Sequence, residues 1–122
     1  MTYWTVNILQ LVVGLGLLHV WLIRSRSSTS YRGGDAKNLK EEFAAYGLPE
    51  IAFYIVGILK VGSALILILG IWIHNLPVRN ATIVIAILML GALAMHVKVK
   101  DPVMKSVPAF SILVMCVLIL VL

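Results

Sequence analysis

The chain has 122 residues, 61% of them hydrophobic and only 12% charged, with a mean hydropathy of +1.05. A soluble domain carries about 25% charged residues, so this balance describes a membrane protein, with one domain and no room for a separate soluble catalytic unit. Cys116 is the single cysteine, which excludes an internal disulfide, a CxxC centre and the four-helix redox enzymes that work through cysteine pairs. The net charge of +5 does not imply nucleic acid, because the basic residues flank the apolar runs, where they act as topology signals and headgroup contacts.

The first apolar run, 4–23, has no Lys or Arg ahead of it and no small-x-small cleavage site, so it reads as a retained helix and not a signal peptide. Tyr3, Trp4 and Trp21 sit as interfacial anchors. At 100° per residue, Asn7 and Gln10 share one side with Gly14, and His19 lies on the other with Gly16 and Val12. Both sides cannot look into one pocket, so Asn7 and Gln10 are expected to face another subunit. A basic Ser/Gly-rich loop follows. Segment 35–46 then reads as a short amphipathic helix, capped by Asp35, ended by Gly47 and striped by Leu39, Phe43 and Tyr46; it lies on the cytoplasmic membrane surface or, equally well, packs on the bundle as an ordinary loop helix.

The second span, about 50–73, opens with Pro49 and Glu50 and holds one interior charge, Lys60. A lysine at that depth costs about 2.5–3.5 kcal/mol, so it should face the bundle interior or water. Glu50, Gly57, Lys60 and Ala64 lie on one side of this helix, and Tyr54 is placed in the same pocket. The third span, about 81–97, ends at His96. Asp101 and Pro102 form a cap and first turn for the fourth, about 102–122, with a kink expected at Pro108.

Four spans put both termini on one side. The loops opposite hold eight basic residues (Arg24, Arg26, Arg32, Lys37, Lys40, Lys98, Lys100 and Lys105) against Arg79 alone on the side of the termini. Both basic loops should therefore be cytoplasmic and both termini exoplasmic, in a plasma, inner or endoplasmic-reticulum membrane. His19, Glu50, His96 and Asp101 then surround a cytoplasmic vestibule with Lys60 about 15 Å deeper than Glu50. No metal-ligand spacing is present.

Gly47-Leu48-Pro49, the run Val56-Gly57-Ile58-Leu59-Lys60-Val61-Gly62, Gly91-Ala92, His96, Asp101-Pro102 and Pro108-Ala109 together resemble the DoxX-like family of small four-helix membrane proteins, a branch of which includes the nicotinic-receptor chaperone NACHO. Many of these have glycine where this chain has Lys100. The resemblance implies an all-α four-helix bundle. Its functions are mixed, from quinone-coupled sulfur oxidation to membrane redox balance and folding of other proteins, so fold alone does not give the activity. The leading expectation is an accessory or assembly factor, or a binder of a lipophilic small molecule such as a quinone or lipid. Its partners would be membrane lipids and another membrane protein or a second copy of the chain, with no nucleic acid. A proton-coupled multidrug-type transporter is the alternative from another class, weakened by the lack of an acid in helix one. A quinone-linked oxidoreductase subunit is a further one. No nucleophile–base pair marks an enzyme.

Overall fold

The computed structural model describes residues 2–23 and 38–122, with the side chains of residues 2, 3, 23, 39 and 42 outside that description. The described residues are helical, without strands. Helix α1 (Thr2–Leu18) continues into a π-helical turn (His19–Ile23), and is followed by α2 (Leu39–Ala45), α3 (Glu50–Leu69), α4 (Val78–Lys98) and α5 (Val103–Val121). Four stretches are long and apolar enough to cross a bilayer: Trp4–Leu22, Glu50–Leu69, Val78–Lys98 and Val103–Val121. Their outward faces are rows of exposed Ile, Leu and Val, suited to hydrocarbon.

The core is a narrow seam. Val13 and Leu17 of α1, Ala64 and Leu67 of α3, Ala81, Ile85 and Met89 of α4, and Cys116 and Ile119 of α5 form it. Small residues let the backbones approach: a Cβ on Gly14 would lie 3.0 Å from the Ala64 carbonyl oxygen. Gln10 belongs to this seam. It is buried, and its Nε2 donates to the Leu67 carbonyl at 2.9 Å. That corrects the expectation that Gln10 faces another subunit, and the reason lies in α3. The helix stops at Leu69 and not at 73, and the Ile71 N–H, which would have served Leu67, bonds to Ile68 instead. The freed carbonyl needs a donor in a water-poor interior, and Gln10 supplies it.

The early stop has its own cause. Gly70 packs against Val78, leaving no room for a Cβ, and α4 starts at Val78, three residues ahead of the expected 81, with Pro77 as its N-cap. Helix α5 runs through Pro108. The cap assigned to Asp35 lies outside the described residues; the Asn38 side chain caps α2 by accepting the Glu41 N–H at 2.8 Å.

Two reversals at one end of the bundle share one construction. After α2, Gly47 adopts φ 78°, its N–H bonds to Ala44 and the Leu48 N–H bonds to Phe43. After α4, Lys100 adopts φ 58°, its N–H bonds to Val97 and the Asp101 N–H bonds to His96. Each is a Schellman closure, and each leads into a proline, Pro49 or Pro102, that N-caps the next helix. Pro102, not Asp101, therefore holds the N-cap position of α5, which frees the Asp101 carboxylate for another contact. Lys100 occupies a left-handed position where L side chains crowd the backbone. Lys100→Gly should raise stability by about 1 kcal/mol, read from thermal unfolding in detergent.

Candidate functional site

The end of the bundle that carries these reversals concentrates the polar and aromatic side chains. The π turn that closes α1 places Trp21 against α3 at Gly57, where a Cβ would come within 2.7 Å of the indole. Only glycine leaves that space. The Lys60 Nζ then lies 5.4 Å from the Trp21 ring, within cation–π range. Phe43 meets Trp21 edge-on at 5.9 Å, and Phe53 lies tilted against it at 5.3 Å. Phe43 and Phe53 contact each other at 5.7 Å, which closes a three-ring cluster over the lysine stem's own helix.

Phe43 and Tyr46 are buried. Helix α2 thus turns Phe43 and Tyr46 into the bundle end.

Tyr46 joins this cluster to a buried polar chain. Its ring lies 6.4 Å from Phe43 and 5.8 Å from His96. Its hydroxyl sits 3.5 Å from His96 Nε2, and His96 Nδ1 is 2.8 Å from Asp101 Oδ2. Both His96 and Asp101 side chains are almost fully buried, and Lys105 Nζ stands 3.6 Å from the other Asp101 oxygen. An ionised carboxylate can only accept, so the His96 Nδ1–H donates to Asp101 and the ring's Nε2 is turned toward the Tyr46 hydroxyl. Lys98 Nζ donates to the Tyr46 carbonyl at 2.9 Å, serving the C-terminal end of α2 as a cation should. Tyr46 is therefore gripped from α4 at both its backbone and its ring.

The expected vestibule separates into three parts. Lys60 and Gly57 come together at Trp21, and His96 and Asp101 pair behind Tyr46. Glu50 and Tyr54 stand at the exposed rim with Lys40, whose Nζ is 2.7 Å from the Glu50 carboxylate. That carboxylate, first as hydrogen-bond acceptor and then by its charge, holds the Lys40 ammonium above the ordinary lysine value. The Tyr54 hydroxyl donates weakly to Glu50 at 3.5 Å. His19 is exposed and faces away from the bundle interior, so it does not line the vestibule. Asn7 lies at the opposite end of α1, on a cleft near the α3–α4 turn. The sequence assigns Trp21 to an interfacial anchor and Lys98 to the charge asymmetry, with no place at the site, and Phe53 carries no signal of its own. The signal for Trp21 was available: Gly57 and Lys60 sit one turn apart on one helix face, a gap beside a cation that a flat ring fits. Among the described residues no group of His, Cys, Asp and Glu could hold a metal ion.

Four apolar helices with this seam and this polar end define an integral membrane protein of the four-helix type. The sequence model of the DoxX-like family matches residues 27–121, and the chain belongs to that family. No curated protein and no solved structure matches it.

Removing Asp101 leaves the buried His96 Nδ1–H without its acceptor. Asp101→Leu should cost about 1–3 kcal/mol of stability, whereas Asp101→Asn, which still accepts from Nδ1, should cost clearly less; unfolding in detergent measures both.

Proposed function

We propose that this DoxX-like protein is an accessory membrane protein that holds the polar head of a lipophilic small molecule, a quinone or a lipid, beside Lys60. The observation that carries this reading is the Lys60 ammonium set mid-span, half-buried, against the Trp21 ring in the space left by Gly57. An ammonium at that depth favours a carbonyl or phosphate oxygen as neighbour, and the Trp21, Phe43 and Phe53 rings offer a flat apolar bed. In this reading the basic loops face the cytoplasm, as the charge asymmetry favours.

A second reading, assembly of another membrane protein as in the chaperone branch, draws support from α5. Its span is 11% buried within the chain, against 22–28% for the other three. Such a helix suits a helix–helix contact in the membrane.

Gentle extraction followed by native mass spectrometry separates the two. The wild-type protein should carry a quinone or lipid that Lys60→Met loses and the rim variant Lys40→Met keeps. Equal occupancy in Lys60→Met would remove Lys60 from the site, and a second polypeptide in place of the small molecule would favour assembly.

A further inference from the structure

A cleft of about 410 Å³ opens at the other end of the bundle, between the start of α1, the α3–α4 turn and the first turn of α4. Asn7, Gln10, His74, Arg79 and Asn80 line it together with apolar side chains, and no acid does. Arg79 is exposed and forms no ion pair with any described residue. Pro77 gives α4 no side-chain cap, so the N–H groups of Arg79 and Asn80 lack an intrahelical acceptor. Arg79 supplies a cation to this cleft, and the amides of Asn7 and Asn80 can add donors.

Gln10 adds a different and independent feature. It is 5% exposed, and its amide nitrogen is committed to the Leu67 carbonyl. Its amide oxygen accepts no hydrogen bond from any described residue. Yet no buried side-chain oxygen among them is sealed off without a bond. That oxygen therefore opens on the cleft Gln10 lines. A ligand fitting both features bears an anionic group for Arg79 and its neighbours and a hydroxyl for Gln10. Trp4 and Trp72, 68% and 69% exposed at this end, mark the headgroup level of a bilayer.

We propose that this cleft binds the head of an acidic, hydroxyl-bearing phospholipid, with Arg79 on the phosphate and Gln10 accepting from the hydroxyl. The site is separate from Lys60 and does not depend on how that residue is used. Short-chain phosphatidylglycerol and phosphatidylcholine, titrated calorimetrically into the detergent-solubilised chain, test it. Phosphatidylglycerol should bind at least about tenfold more tightly than phosphatidylcholine. Arg79→Gln and Asn7→Leu, both at non-core positions, should each erase most of that preference, and Lys100→Gln at the far end should preserve it. Equal binding of the two lipids, or an undiminished preference in both cleft variants, would overturn the proposal. Millimolar inorganic phosphate should not displace the lipid; displacement would assign the cleft to free phosphate and overturn the lipid assignment.

Discussion

A single ammonium in the middle of a membrane helix sets the terms for one half of this protein. Placing Lys60 at that depth costs about 2.5–3.5 kcal/mol, and a desolvated cation over an indole returns about 2 kcal/mol. The Trp21 ring is thus of the right order to make Lys60 tolerable, and its arrival there depends on a sequence of local facts. The π turn at His19–Ile23 swings the ring toward α3, and Gly57 leaves the slot. Phe43 and Phe53 hold it from the remaining sides.

Phe43 can do this only because α2 is tied down. A seven-residue helix is far too short to persist by itself, and its ends are fixed by local caps and by side chains of α4. Asn38 caps the start. Gly47 closes the end, Lys98 takes the Tyr46 carbonyl, and His96 meets the Tyr46 hydroxyl. His96 is in turn oriented by Asp101. In a Schellman closure the two positions that flank the turn usually make an apolar contact. Phe43 and Leu48 fill those positions after α2; after α4 they are His96 and Asp101, which replace the apolar contact with a buried hydrogen bond. The same backbone device thus serves apolar packing at one corner and a buried hydrogen bond at the other.

Hydropathy made the four spans legible, and the depth of Lys60 marked it as a charge in need of neighbours, one of which is the Trp21 ring. Gln10 shows where helical-wheel arithmetic stops. The angle between Gln10 and His19 was right, but which side faced inward depended on Gly14 admitting α3 and on a carbonyl freed by the unwinding at Gly70. Neither is visible in periodicity. His96 and Asp101 were both recognisable as candidates, while their pairing rests on a left-handed residue at Lys100, where glycine would have announced the turn. The vestibule residues share an end of the bundle, but rotation about the helix axes leaves Glu50 and His19 exposed.

Lys60 against Trp21 is the contact on which the proposed function rests. A protein retaining Trp21 as its only indole, through Trp4→Phe and Trp72→Phe, isolates it by fluorescence. Lys60→Met should shift the Trp21 emission maximum and change its lifetime, since the charge over the ring is removed. A spectrum unchanged by Lys60→Met would contradict the contact and the account built on it.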